Sequence, residues 1–377
     1  MLVSLLSEKT LHFDDPTTYL ADLLTQANRL GATDLHFDPQ PNAVQIRLRI
    51  DGLLHELVSL SSEAYLRLLV TVKMLAQMDI AEKRRPQDGS FHWEQGETIF
   101  DVRVASTATV WGERCALRLL NAHGSAGRHR LDELGMTPYE RDQFAQLVHF
   151  ARGMVLCCGP VGSGKTTTLY VALSLRDAAH EMICTLEDPV ERKLPGITQV
   201  EVRPEIGLSF AEGLRALLRH DPDVLLVGEI RDKETAEVAV RAALTGHLVL
   251  ATLHASDAVT AISRLSQMGV ASYQVAEAVR GVVAQRLVRK RCPQCRGEKG
   301  EAVCSVCGGN GFLGRTGLFE VLTLTEPMRK AVRDGVGHAE LEELAMQAGM
   351  CPLNKRGEQL VEQGVTTAHE VRRCIGD

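Results

Sequence analysis

The 377-residue chain predicts an α/β protein, a mostly parallel sheet with helices on both faces, preceded by a smaller α+β module. Three observations carry this. Apolar strand-like runs at Met154–Cys158, Met182–Leu186, Val224–Val227 and Leu248–Leu253 are separated by helical stretches, the rhythm of strands buried on both faces. A glycine-rich loop follows the first run and opens a helix. Within the first 120 residues Val44–Ile50 instead shows polar and apolar residues in strict alternation, as in a half-buried antiparallel strand.

The elements follow in order. Pro16–Leu30 reads as a helix, with Pro16 at its first position, Leu20, Leu23, Leu24, Ala27 and Leu30 at helical spacing, and Gly31 to stop it. Val44–Ile50 alternates, Asp51-Gly52 turns the chain, and Leu53–Val58 returns as a second strand. Ser61–Met78 carries an amphipathic helix, and 99–105 and 113–120 read as two more strands. Residues 1–120 thus form the first module, and the polar stretch 121–130 reads as a linker. The second module spans 131–377. It contains a Cys/Gly-rich element at 292–317 and a helical region over 320–377.

Composition narrows the function. Forty-two basic against 48 acidic residues give a net charge of −6, which argues against a bulk nucleic-acid binder. No apolar run approaches the ~20 residues of a membrane span. The start, MLVSLLSEKT, lacks a basic region and a cleavage site. The 10 cysteines include the adjacent Cys157 and Cys158 in an apolar run and four in a metal-like cluster, so a reducing, cytoplasmic compartment is expected.

The chemistry begins at Gly159-Pro160-Val161-Gly162-Ser163-Gly164-Lys165-Thr166, with Thr167 next. It fits G-x-x-x-x-G-K-[ST] between a buried strand and a helix. Backbone N–H groups of such a loop wrap phosphate oxygens at a helix N-terminus. Lys165 is expected to reach the β and γ phosphates of ATP, and Thr166 to place its hydroxyl on Mg²⁺. The apolar strand Val224–Val227 runs into Gly228-Glu229. This places Glu229 at the ligand-binding edge of a parallel sheet, as an acid acting on Mg²⁺ and as a candidate general base. Glu187, Asp188 and Glu191 form a second acidic group after a strand. Cys292 and Cys295 face Cys304 and Cys307 across eight residues, a spacing that allows a structural tetrathiolate Zn²⁺ site. A redox pair or two disulfides are the other chemistries open to such cysteines.

Together these residues resemble the secretion ATPases of type II secretion and type IV pilus assembly, the GspE/PilB family. The resemblance is carried by Thr33–His36, Arg47–Gly52, Arg85–Gly89, Asp101–Val104, Gly112–Arg114, Leu117–Leu120, the phosphate loop, Leu186–Glu191, DPDVLLVGEIRD at 221–232 and TGHLVLATLH at 245–254. It implies a PAS-like N-terminal module hinged to a RecA-like P-loop ATPase, working as a homohexamer. It assigns Glu187 to the family's Asp box, Glu229 to Walker B, and His247 and His254 to its His box. It makes Arg103 and Arg118 the N-terminal arginines that close on the phosphates, with Arg114 a third candidate. The family's usual Pro-Gln-Asp-Gly-Arg ends here in Ser90. Many members carry a further N-terminal domain, whereas about fourteen residues precede the first helix here.

The implied function is a motor ATPase for pilin or pseudopilin assembly, docked on an inner-membrane platform protein, cytoplasmic and peripheral at that membrane, with no direct nucleic-acid contact. The tetracysteine element favours assembly over retraction. A DNA-transfer ATPase of the same superfamily, or a nucleotide-binding scaffold without turnover, is the alternative.

Overall fold

The computed structural model describes residues 15–95, 98–120, 130–298 and 304–376, so 121–129 of the expected linker lie outside the described residues. The chain forms two units. One comprises 1–128 together with 289–314, and the other 129–288 together with 315–377. The sequence reading kept 292–317 with the second module, whereas most of that element groups with the first.

In the first unit α1 (Pro16–Arg29) starts with Pro16 inside a cap, the Asp15 carboxylate accepting from Thr18 N–H. Six strands follow: β1 (Ala32–Pro39), β2 (Val44–Ile50), β3 (Leu53–Leu60) and, after α2 (Ser62–Leu75), β4 (Gln87–Gln95), β5 (Thr98–Thr109) and β6 (Gly112–Leu120). They pair antiparallel in the order β3-β2-β1-β6-β5-β4. Leu20, Leu23 and Leu24 of α1 and Leu68 and Val72 of α2 bury one face against Leu35, Ile46, Val102 and Leu117. The alternation of each strand leaves its polar side chains on the other face.

In the second unit β7 (Gly153–Cys158) follows α3 (Pro138–Val148), and α4 (Lys165–Ser174) follows the phosphate loop. Then come β8 (Ile183–Glu187), β9 (Thr198–Glu201), α5 (Phe210–Leu217), β10 (Val224–Val227), α6 (Lys233–Leu244), β11 (Leu248–Leu253), α7 (Ala258–Gln267), α8 (Ser272–Ala278), β12 (Val279–Arg291) and β13 (Phe312–Thr323). The sheet order is β13-β12-β7-β11-β10-β8-β9, and β12 through β9 run parallel. β7 shows why helices cover both faces. Met154, Leu156 and Cys158 pack into one core with α6 to α8, while Val155 and Cys157 pack into the other with α3 and α4. Cys157 and Cys158 are therefore core residues, and burial pushes the Cys157 thiol up to about 12. The chain closes with α9 (Glu326–Asp334), α10 (His338–Gln347), α11 (Leu353–Glu362) and α12 (Ala368–Ile375).

Glu320 of β13 is buried and accepts from Ala258 N (2.9 Å) and Leu353 N (3.3 Å), at the starts of α7 and α11. Burial pushes its carboxyl from 4.5 up to about 7. A raised carboxyl pKa means the folded chain binds the proton more tightly than the unfolded one. Its stabilisation is full at low pH and is lost as pH rises through about 7, on the order of 3 kcal/mol in all. Glu320→Gln keeps an acceptor without the charge. Urea unfolding at pH 5 and pH 8 should show the variant gaining on the wild type between the two, and a constant difference would contradict the assignment.

Candidate active site

The phosphate loop lies at the C-terminal edge of the parallel strands, between β7 and α4. Gly164, with φ 89°, occupies the cap position of α4 in the left-handed region that excludes most side chains. Lys165 Nζ donates to the carbonyls of Gly159 (2.8 Å) and Pro160 (2.9 Å), so the ammonium is folded over the loop. Burial holds its pKa below the usual lysine value. Ser163 Oγ is buried with no hydrogen-bond partner among the described residues. An orphaned buried hydroxyl and a half-buried ammonium on one loop fit an anionic ligand.

Two carboxylates stand at the same sheet edge as this loop, at the ends of the neighbouring strands β8 and β10. Glu187 closes β8 and is 3% exposed. Tyr170 Oη of α4 donates to one of its oxygens, and Thr185 Oγ1 (2.5 Å) and Gln199 Nε2 (3.1 Å) donate to the other. Glu229 follows β10. Gly228 N donates to Leu186 O at 2.7 Å, and a Cβ on Gly228 would lie 3.2 Å from Glu187 Cα, so glycine lets the two acidic segments run side by side. The Glu229 side chain is 14% exposed, paired with Arg231 on one oxygen and 3.6 Å from His254 Nε2 on the other.

His254 reaches Glu229 because β11 is tied to the Gly228 turn twice. Ile230 N donates to Thr252 O at 2.9 Å, and Thr252 Oγ1 donates to Gly228 O. His247 is placed differently. It precedes β11, its carbonyl accepts from Gly153 N (3.0 Å), and its Nδ1 lies 3.0 Å from Ala242 O. Leu248 pairs with Gly153 and Leu253 with Cys158, so His247 sits at the opposite edge of the sheet from the phosphate loop. The two histidines assigned to the His box therefore stand at opposite ends of β11. Six β11 residues at about 3.3 Å per residue keep them apart.

The arginines belong to the first unit. Ser90, Arg103, Arg118, Asp34 and Arg49 are successive cross-strand partners, and partners in a sheet share one face. Arg118 Nε bonds Asp34 Oδ1 at 3.0 Å. Arg103 stands directly opposite Arg118, like charge facing like charge. Arg114 is engaged elsewhere, with Asp38 Oδ1 at 2.7 Å and His36 Nδ1 at 3.1 Å. Ser90 occupies the place beside Arg103 on this row.

The four cysteine sulfurs lie within 4.8 Å of one another, with Cys292–Cys304 at 3.8 Å and Cys295–Cys307 at 3.5 Å. Four thiolates at a Zn–S bond of ~2.3 Å put tetrahedral edges at about 3.8 Å, so the set fits a metal. N–H groups of Cys307 and Val306 pull the Cys304 thiol down to about 7. Gly311 N donates to Cys307 Sγ at 3.2 Å.

Sequence reasoning missed Tyr170, Thr185 and Gln199 around Glu187, and Thr252 beneath Glu229. Each is an ordinary polar residue in an apolar stretch, and only the fold brings it to a carboxylate or a turn.

Comparison places this geometry among known proteins. The family described as type II/IV secretion system protein matches residues 14–373. The type II secretion system protein HxcR of Pseudomonas aeruginosa is 45% identical over 94% of this chain and 76% of its own. The type II secretion system ATPase E of Vibrio cholerae is 39% identical over 93% of this chain and 73% of its own. A crystal structure of the pilus retraction motor PilT with bound ADP superposes with a TM-score of 0.67 at 28% identity, covering 94% of this chain and 96% of that one. The chain belongs to the type II/IV secretion system protein family.

Proposed function

We propose that this chain is a motor ATPase that hydrolyses ATP to drive pilin or pseudopilin assembly. The observation that supports the reading is the placement of Lys165, Glu187 and Glu229 at the same edge of the parallel sheet, with a glycine-rich loop. The names of its relatives support the same activity. The loop N–H groups, Lys165 and Thr167 bind the phosphates. Thr166 and Glu229 would hold Mg²⁺, which supplies charge neutralisation on the phosphate oxygens. Glu187 and Glu229 orient the attacking water, and His254 senses the Glu229 side. Arg103 and Arg118 complete the charge on the phosphates during transfer.

Among the described residues no helix is long and apolar enough to cross a membrane. The proposed setting is a homohexamer on the cytoplasmic side of an inner membrane, held there by a platform protein. The cysteine cluster would hold one Zn²⁺ as a structural ion, since four sulfurs leave no open position for chemistry.

Purified chain should release phosphate from ATP in the presence of Mg²⁺, and Lys165→Ala should abolish this. Equal release by the two proteins would refute the reading. For the metal, elemental analysis in reducing buffer should find about one Zn²⁺ per chain, lost in Cys292→Ser together with the protection of 289–314 from proteolysis. Metal-free protein with that segment equally protected would reject the site.

A further inference from the structure

β12 runs past the phosphate loop and carries there two adjacent buried polar residues, Gln285 and Arg286, that the ATPase reading leaves without a role. Gln285 is 2% exposed, and its Oε1 accepts from Thr168 Oγ1 in the first turn of α4 at 2.7 Å. The same oxygen lies 3.8 Å from Cys157 Sγ on β7. One amide thus joins the strand that enters the loop to the helix that leaves it. The loop is also seated on this residue. A Cβ on Gly159 would lie 2.4 Å from Gln285 O, and one on Gly164 would lie 2.8 Å from Gln285 Nε2.

Arg286 is 6% exposed and pairs with no carboxylate among the described residues. Its guanidinium donates to three carbonyls: Cys374 (Nε, 3.1 Å), Gln285 (Nη1, 3.0 Å) and Ser256 (Nη2, 2.7 Å). Ser256 lies in the segment that carries His254 towards α7, and Cys374 is in the last turn of α12. A Cβ on Gly159 would come within 3.3 Å of Nη1. Two further bonds tighten the same joint. Cys158 Sγ donates to Asp257 O at 3.4 Å, and Cys374 Sγ to Leu287 O at 3.1 Å.

A buried guanidinium satisfied only by carbonyls keeps its charge uncompensated. Here that charge lies at the start of a phosphate loop. A planar fork also fixes three carbonyls in relation to one another, as a lysine cannot.

We propose that Arg286, backed by Gln285, is a positioning residue of the nucleotide site. It sets the phosphate loop against the Ser256 segment and carries the loop's position to the end of α12. The inference rests on the ATPase reading and adds to it a mechanical link from the bound phosphates to the C-terminal helix.

The test compares wild type, Arg286→Lys and Thr168→Val, the last a near-isosteric change that removes one bond to Gln285. Fluorescent ADP gives affinity, phosphate release gives kcat and KM, and mass mapping of thiol labelling gives the reactivity of Cys374 with and without Mg-ADP. Arg286→Lys keeps the charge, so its affinity should stay within about threefold while kcat falls about tenfold or more, the cost of a misplaced loop. Thr168→Val should lower kcat with KM unchanged. Mg-ADP should alter the Cys374 labelling rate in the wild type and leave it unaltered in Arg286→Lys. Wild-type kcat in Arg286→Lys, or Cys374 labelling indifferent to Mg-ADP in the wild type, would overturn the proposal. A wild type that binds ADP yet releases no phosphate overturns the ATPase reading instead, while the labelling comparison still decides the link to α12.

Discussion

Alanine in place of Arg103 or Arg118 should slow ATP turnover by ~10³-fold while nucleotide still binds, the scale of a lost arginine finger. Two arginines directly opposite each other repel, an arrangement that weakens a sheet unless an anion shares them. Asp34 offsets part of that charge, from 3.0 Å on Arg118 and 3.7 Å on Arg49. The Arg118 side chain is 66% exposed, so losing its pair costs the fold no more than about 1 kcal/mol. A large kinetic effect with an unchanged melting temperature is therefore the signature of a role in transfer. Mixing Lys165→Ala chains with Arg118→Ala chains adds the geometry, because restored turnover means the arginine serves a neighbouring subunit. Turnover within a few-fold of wild type in both alanine variants would remove the pair from the reaction.

Glu229→Gln should cut hydrolysis by ~10²-fold or more, the scale of a lost acid–base group, and leave ATP binding and stability close to wild type. The amide oxygen can still face Arg231, and the side chain is less enclosed than that of Glu187. Glu187→Gln should behave differently although its chemistry is the same. Its two oxygens receive Tyr170, Thr185 and Gln199, and an amide nitrogen in that cage faces donors where it needs acceptors. This variant should lose turnover and also stability, by ~1–3 kcal/mol for a buried polar group left unsatisfied. Phosphate release and thermal unfolding on both proteins separate the two residues. Equal destabilisation would mean that Glu229 is as enclosed as Glu187, against the structure.

Much of this was legible in the residues. The β7, β8, β10 and β11 runs, the phosphate loop and the position of Glu229 follow from apolar strands that end in functional residues. The Pro16 start of α1 and the Asp51-Gly52 turn are local chemistry that sequence displays directly. β1 is not among the strands read from the sequence: its Asp34, His36 and Asp38 are polar yet buried, and the arginines that pair with Asp34 and Asp38 come from other strands. β12 escaped because Val279–Arg291 shows no alternation: the strand is buried on both sides and carries Gln, Arg and Lys among its valines. The separation of His247 from His254 depends on strand length, and one motif spanning both ends of a strand hides it.

The division of the chain has a consequence for building hybrids. The backbone passes between the two units at 128/129, 288/289 and 314/315, so the first unit is assembled from two separate stretches. Asp51 Oδ2 accepts from Gly314 N at 2.8 Å, which ties the inserted stretch to the β2–β3 turn. Exchanging residues 1–128 alone for those of a relative would leave 289–314 facing a foreign surface. A working chimaera must move both stretches together, and the returning arm sets the limit on how freely such parts can be traded between machines.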